Sequence, residues 1–363
     1  MIVSSEAASD FVVGELTSRL KTRGFGDVPS VQLTELEGYE DTRAVATELV
    51  AAFESLPWRY EVFATIPWSF APLLSAAMAG LTFEFNDRLA LTHGSTLVES
   101  HPPSEEPVIT SLLADKPTQL SEELLYLRVR SEGYISYYGG SVPMDDVQAD
   151  VRSFFGIALA QRWARTGAVY SFGPPKRQLL VYREEAGGWR HHSNQDIPPE
   201  AAATIAGLGV SKILAKLDDA PRAAFMTREL HALRAALQRT EEARGVLLAA
   251  QWLFDSWASS NRLLGFVQAM VALEALLGEK AASDAVGLGE LLANRTAYLI
   301  AKSRSQRDAI LADFRRIYGT RSVIVHRGKN RLAASELQDL SRLEWFCARV
   351  IQEEIRLLGM PEE

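Results

Sequence analysis

Cysteine is nearly absent from this chain of 363 residues, which contains Cys347 alone. A single cysteine excludes an internal disulfide and any zinc site built from several thiolates. No uninterrupted apolar run approaches the ~20 residues that span a bilayer, and residues 1–16 carry carboxylates where a secretory signal carries Lys or Arg. We therefore expect a soluble, cytoplasmic protein that has no membrane partner.

Common ligand-binding patterns are also missing. No G-x-x-x-x-G-K-[ST] loop occurs, which argues against a phosphate-cradling nucleotide site of that type. His191 and His192 are adjacent but have no third ligand at metal-binding spacing. We expect neither a metal site nor a cofactor.

Charge is distributed unevenly along the chain, whose formal net charge is −8. Residues 1–220 contain 18 basic and 29 acidic residues, whereas residues 221–363 contain 20 and 17. Within the second part, residues 302–331 hold nine basic and two acidic residues. Such a stretch favours contact with phosphate groups of nucleic acid, and a solvated helix face is the alternative interpretation.

Strand patterns are confined to the first part of the chain, where they alternate with helical segments. They include residues 59–66 and 178–183, and a hairpin of residues 125–130 and 134–138 around Ser131-Glu132-Gly133. A helix is predicted from 199 to about 217, where turn residues, the change in charge and the end of strand patterns coincide. We expect an α+β domain at 1–217, followed by an all-α bundle at 218–363.

Helical spacing predicts at least five helices in the second part, at 240–257, 261–278, 287–303, 304–318 and 335–358. Two of them carry a charge in an apolar seam. Glu274 lies between Met270 and Leu277, and Arg295 lies between Leu292 and Leu299. Because an unpaired buried charge costs several kcal/mol, we expect a partner for each. A Glu274–Arg295 ion pair that fixes helix register and a pair that orients a catalytic arginine are both possible.

The most informative motif is Arg321-x4-His326, which lies in the most basic stretch of the chain. The same spacing occurs at Arg88 and His93, in a strand-like segment of the acidic part, where we expect no role. Five residues of an ideal helix turn through about 140°, so the side chains of Arg321 and His326 diverge if both are helical. They meet if the helix starts inside the segment, where Gly319 and Gly328 allow a non-helical entry or exit, or if the long Arg321 side chain bends back.

At these residues the chain resembles the Apea-like branch of the HEPN (higher eukaryotes and prokaryotes nucleotide-binding) domains. The resemblance covers roughly residues 240–358. It rests on the tract 271–277 around Glu274, on Arg295, and on Tyr318-x-x-Arg321-Ser322-x-x-Val325-His326 with Gly328 close behind. The HEPN branch in which x-Tyr follows the histidine is not matched, because Gly328 stands at the tyrosine position.

The resemblance implies a helical bundle that forms a homodimer and cleaves RNA without a metal ion, as a conditional toxin or an effector of phage defence. Arg321 and His326 would be the catalytic pair, with Ser322, Glu274, Arg295 and Tyr318 in supporting positions. The basic residues around the motif would bind the RNA backbone: Arg315, Arg316, Arg327 and Lys329. Residues 1–217 would bind a trigger or regulator.

The chemistry suits these residue types. Histidine accepts or donates a proton near neutral pH, and arginine stays charged and grips phosphate through two parallel hydrogen bonds. Two other functions fit the sequence. The helical part is a non-catalytic module that binds nucleic acid or nucleotide and dimerises, or the acidic part is active and the helical part only dimerises it.

Overall fold

The computed structural model of the chain describes residues 5–22, 32–103, 119–136, 140–167, 178–278 and 287–360. Within these ranges an α+β region comes first and a helical region follows, which confirms the predicted order of structural classes. None of the helices in the described ranges has the length and apolarity that crossing a bilayer requires.

An antiparallel sheet of six strands organises the first region. The described strands are β1 (Trp58–Thr65), β2 (Thr82–Glu84), β3 (Leu89–His93), β4 (Leu125–Gly133), β5 (Ala164–Thr166), β6 (Gln178–Glu185), β7 (Gly188–Asp196) and β8 (Leu208–Val210). The sheet has the order β2-β3-β4-β1-β6-β7, and β5 pairs separately with β8. The accompanying helices are α1 (Ser5–Thr22), α2 (Thr42–Glu54), α3 (Ala71–Ser75), α4 (Val142–Ala160) and α5 (Pro199–Ala206).

Strand β4 runs without interruption from residue 125 to residue 133, so the hairpin predicted around Ser131-Glu132-Gly133 is wrong. The register pairs Tyr60 of β1 with Ser131 and Trp58 with Gly133. Strand β3 occupies the other edge of β4. Ser131, Glu132 and Gly133 stay in the strand because β1 pairs with β4 as far as Gly133 and satisfies their backbone groups along that edge. Residues 137 and 138 of the predicted second strand lie outside the described residues.

The described part of the second region contains six helices: α6 (Asp219–Leu237), α7 (Thr240–Ala258), α8 (Arg262–Leu277), α9 (Leu288–Ile300), α10 (Arg304–Arg327) and α11 (Ala334–Leu358). The predictions for α7, α8, α9 and α11 are confirmed to within a few residues. The helix predicted from 199 to 217 is too long, because α5 ends at Ala206 and the short strand β8 follows Gly207.

Helix α10 extends well beyond the predicted end at residue 318. It passes through Gly319 and stops at Gly328, which adopts the left-handed conformation that favours glycine (φ 63°, ψ 41°). Phe314, Ile317 and Thr320 are buried on one face of the helix. Because this buried stripe continues past Gly319, packing outweighs the roughly 1 kcal/mol that a glycine costs inside a helix.

Helix α4 joins the two regions in one apolar core. Ser153 Oγ donates a hydrogen bond to the Leu247 carbonyl of α7 over 2.8 Å. At Gly156 the backbones of α4 and α7 approach so closely that a Cβ atom would collide with the Ala250 carbonyl oxygen. The sheet therefore packs through α4 onto the helix that leads into the predicted functional region.

Candidate functional site

Helix α10 carries Tyr318, Arg321, Ser322 and His326 as one continuous helix. Ideal helix geometry separates the α-carbons of Arg321 and His326 by about 7.5 Å along the axis and their side chains by about 140° around it. The predicted alternative of a non-helical entry at Gly319 is wrong, and Gly328 forms the exit beyond His326. On this helix the two side chains therefore leave the backbone in different directions.

Arg321 is held in a defined position at the surface of the helical region. Its Nη2 atom lies 3.8 Å from Glu274 Oε1 on α8, and its guanidinium lies 5.8 Å from the centroid of the Tyr318 ring. The side chains of Arg321 and Glu274 are 26% and 27% exposed. The Nε and Nη1 atoms of Arg321 have no hydrogen-bond partner among the described residues. Because part of the side chain is exposed, Arg321 can donate hydrogen bonds to an anion.

The ion pair of Glu274 is with Arg321, and this corrects the expected Glu274–Arg295 pair. Burial raises the pKa of the Glu274 carboxyl, and the nearby Arg321 cation opposes that rise. Arg295 Nη1 instead donates a hydrogen bond of 2.8 Å to the Leu277 carbonyl, at the end of α8. The last carbonyls of a helix lack intrahelical donors, so Arg295 supports the end of the helix that carries Glu274.

Tyr318 packs directly over α9. A Cβ atom at Gly289 would lie 2.9 Å from the Tyr318 ring, so only glycine leaves room for the ring. Together with Arg315, Tyr318 lines a cavity of about 510 Å³ between α9 and α10. Ser322 lies one turn further along α10 and is exposed, as is His326. The catalytic candidates thus border solvent rather than the apolar core.

The predicted phosphate-binding residues differ in their availability. Arg316 Nε lies 2.6 Å from Asp339 Oδ1, and Arg316 Nη1 lies 3.1 Å from Asp313 Oδ1. The side chain of Asp339 is 3% exposed, and its second oxygen accepts a hydrogen bond from Thr320. Arg316 therefore compensates a buried carboxylate between α10 and α11.

The remaining three predicted residues have three different placements. Lys329 forms an ion pair with both carboxylate oxygens of Glu336. The side chain of Arg327 lies outside the described residues. Arg315 is exposed and makes no hydrogen bond or ion pair with any residue that the structure describes. Of this group, Arg315 is the one described side chain that is free to meet a phosphate.

A second cavity, of about 570 Å³, lies at the other end of the same helix pair. Its lining residues were not identified as a site from the sequence. Tyr298 of α9 and Arg304 and Arg307 of α10 line it. Arg304, Arg307 and Arg315 follow the 3.6-residue period along one side of α10, and this spacing was available in the sequence. Tyr298 belongs to another helix, so only the packing of α9 on α10 places it there.

The competing Arg88–His93 pair has a structural explanation. Arg88 Nε lies 2.6 Å from Asp150 Oδ2 on α4, and His93 is the last residue of β3. The adjacent histidines of β7 are also engaged. His191 Nε2 lies 2.9 Å from Asn194 Oδ1, and His192 Nε2 lies 2.9 Å from the Ile135 carbonyl oxygen. No group of three or more potential metal ligands occurs among the residues that the structure describes.

A buried polar cluster in the sheet is the strongest candidate outside the helical region. Glu61 Oε2 lies 3.1 Å from His101 Nε2, and Ser100 Oγ lies 2.9 Å from His101 Nδ1. Burial raises the pKa of the Glu61 carboxyl, but the hydrogen bond with His101 and the cations of Arg128 and Arg130 outweigh burial and lower it. An ionised Glu61 can only accept, so Nε2 of His101 carries a proton.

The hydrogen bonds of this cluster join a serine, a histidine and a carboxylate in the order found in serine hydrolases, but the cluster lacks free backbone donors and exposure to solvent. The backbone N–H groups of Ser100 and His101 both donate to the Leu97 carbonyl, so they are not free to stabilise an oxyanion. His101 itself is 4% exposed and stacks on Trp189, with ring centroids 5.3 Å apart. We interpret the cluster as a support that ties residues 97–101 to the sheet.

Comparison of the chain with models of known protein families, with curated proteins and with solved structures finds no match.

Proposed function

We propose that this protein is a metal-independent endoribonuclease in which Arg321 and His326 carry the reaction. The observation that carries the proposal is the placement of the Arg321 side chain, which lies beside Glu274 and Tyr318, is about a quarter exposed and makes no hydrogen bond with any described residue. His326 is exposed on the last turns of the same helix. The resemblance to HEPN domains in the residues around this motif supports the same assignment.

The proposed reaction is attack by the ribose 2′-hydroxyl on the adjacent phosphorus. A bond forms between O2′ and phosphorus while the bond from phosphorus to O5′ breaks, which gives a 2′,3′-cyclic phosphate and a free 5′-hydroxyl. One histidine removes the 2′-hydroxyl proton, and one protonates the departing O5′. Arg321 binds the non-bridging oxygens and stabilises the charge that builds up on them.

The straight course of α10 favours a site shared between two copies of the chain. Because the side chains of Arg321 and His326 diverge by about 140° on one helix, we propose that the arginine of one copy meets the histidine of the other. A twofold dimer through the helical region provides this arrangement and supplies two histidines, one as base and one as acid.

Cleavage of RNA in the presence of EDTA tests the activity. The wild-type protein is expected to produce 2′,3′-cyclic phosphate ends, and Arg321→Ala and His326→Ala are expected to lose at least 100-fold in rate. His93→Ala is the matched control, because it removes the histidine of the competing motif, and it should keep full activity. Equal behaviour of all four proteins would refute the proposal and favour the binding module. Activity that chelation abolishes would refute the metal-free mechanism.

Mixing the wild type with His326→Ala tests the shared site. Because the proposed site uses the histidines of both copies, a hybrid dimer with one His326→Ala subunit should be inactive, and after random exchange an equal mixture should show about a quarter of the activity of the same total concentration of wild type. Half of that activity, together with proof of subunit exchange by mass spectrometry, would refute the shared two-histidine site.

We also propose that cleavage is conditional, as in a toxin or an effector of phage defence, with residues 1–217 as the regulatory part. The direct packing of α4 on α7 supports this assignment, because it would connect a ligand of the sheet region to a helix of the proposed nuclease region. Controlled expression in bacteria tests it. Wild-type protein should arrest growth only under an inducing condition, such as phage infection, and His326→Ala should not.

A further inference from the structure

We infer that the groove between α9 and α10 binds single-stranded RNA and ends at Tyr318, whose ring centroid lies 5.8 Å from the Arg321 guanidinium. This inference rests on the proposed function and specifies its substrate as unpaired RNA. The groove consists of the two cavities described above, which share Leu311 as a lining residue. Arg315 and Tyr318 lie at one end, and Tyr298, Arg304 and Arg307 lie at the other.

The aromatic component of the groove is Tyr298, whose side chain is 85% exposed. Tyr318, at the opposite end, is partly buried against Gly289. An aromatic ring that faces solvent next to arginines offers a flat surface for an unpaired base. Stacking of this kind contributes about 1–3 kcal/mol per base and does not depend on base identity.

The cations of the groove are distinguished by their lack of carboxylate partners. Arg304, Arg307 and Arg315 make no ion pair with any residue in the described part of the chain. Basic residues of α10 and α11 that lie off the groove are paired instead: Arg316 with Asp339 and Arg342 with Asp313. The free guanidiniums therefore lie where a polyanion can reach them.

The spacing along α10 fits an extended strand. Helical rise places Arg304 and Arg315 about 17 Å apart and Arg304 and Arg321 about 26 Å apart. Asp308 and Glu290 also line the groove, so its net positive charge is small. Affinity for a simple polyanion is consequently low, and stacking on Tyr298 must contribute to binding. This combination favours unpaired RNA over a duplex, whose bases are stacked on each other.

Binding of an unstructured, 5′-fluorescein-labelled oligouridine decamer, measured by fluorescence anisotropy, tests the groove without depending on cleavage. All proteins carry His326→Ala so that the RNA stays intact. Tyr298→Ser should weaken binding about 10-fold, the equivalent of 1.4 kcal/mol, whereas Tyr298→Phe should keep the affinity. A duplex of the same length should bind more weakly than the single strand.

Salt dependence tests the arginines. Three phosphate contacts give a slope of about −2 for log affinity against log salt, and Arg304→Gln with Arg307→Gln should reduce it to about −0.7. The control is Arg59→Gln on β1, which removes an exposed arginine of the sheet region and should leave the slope unchanged. Equal affinity of the Tyr298→Ser and Tyr298→Phe proteins, or an unchanged slope, would overturn the inference.

The outcomes for groove and nuclease can be separated. Tyr298-dependent binding by a protein that never cleaves RNA would support the groove and refute the nuclease. Cleavage that requires Arg321 but is insensitive to Tyr298, Arg304 and Arg307 in both binding and rate would support the nuclease and overturn the groove.

Discussion

His192 makes folding of this protein depend on pH, and its contribution can be worked out from the structure. The side chain lies on β7, donates through Nε2 to the Ile135 carbonyl over 2.9 Å, and contacts the Tyr60 ring edge-on at 5.5 Å. Burial, followed by the nearby Arg183 cation, lowers the pKa of His192 to about 4. Neutral imidazole is therefore the form that the fold accepts.

The sign and size of the effect follow from proton linkage. In the unfolded chain the pKa of a histidine is about 6.5, so between about pH 6.5 and pH 4 the unfolded state binds the proton and the folded state does not. The stabilising contribution is complete above about pH 6.5 and falls as the pH decreases towards 4. Between pH 7 and pH 5 the loss amounts to about 2 kcal/mol in the free energy of unfolding.

Urea unfolding of the wild type and of His192→Gln, followed by far-UV circular dichroism at pH 7 and pH 5, measures this contribution. Glutamine keeps a donor for the Ile135 carbonyl but does not titrate. The wild type should lose about 2 kcal/mol more than the variant when the pH is lowered. An equal loss in both proteins would refute the assignment of His192 as a buried neutral histidine.

Three further changes test the packing of the fold by urea unfolding at pH 7. Gly156→Ala should destabilise the whole protein by about 1–3 kcal/mol, because the added methyl group meets the Ala250 carbonyl; an unchanged midpoint would contradict the close approach of α4 and α7. Gly319→Ala should stabilise it by up to about 1 kcal/mol, since nothing lies within 4 Å of the new Cβ atom; a loss would indicate that α10 is not helical there. Arg316→Ala should cost about 2 kcal/mol, less than for a fully buried pair because Arg316 is half exposed, and Asp339→Asn in the same background should recover part of it.

The helical part of the fold could be predicted well because its signals are local. In α7, α8 and α11 the apolar residues recur at helical spacing within one continuous segment, so the sequence predicts the bounds of these helices to within a few positions. Gly319 misled the prediction of α10, since the cost of one glycine is local whereas the packing that outweighs it involves other helices. The turn predicted at Ser131-Glu132-Gly133 was wrong for the same reason, because a strand distant in sequence determines the conformation of this segment.

The candidate site could be predicted in its composition but not in its contacts. The motif identified Arg321 and His326, and the charge pattern identified a basic segment. Which carboxylate pairs with which cation depends on how α8, α9, α10 and α11 pack, and the sequence contains no local signal for that choice. The partner of Glu274 was therefore predicted wrongly, and the engagement of Arg316 by Asp339 could not be foreseen.

The contact between α4 and α7 restricts both the truncation of the chain into fragments and the relative motion of the two regions. A fragment that starts at residue 218 would lack α4, the helix that contacts Leu247 and Ala250. Its apolar surface on α7 would be exposed to solvent, so the fragment should aggregate. The close approach of the two helix backbones also leaves no room for a hinge at this contact. A structural change in the sheet region would therefore affect the helical region as a small distortion of α4 and α7 rather than as a rigid-body rotation.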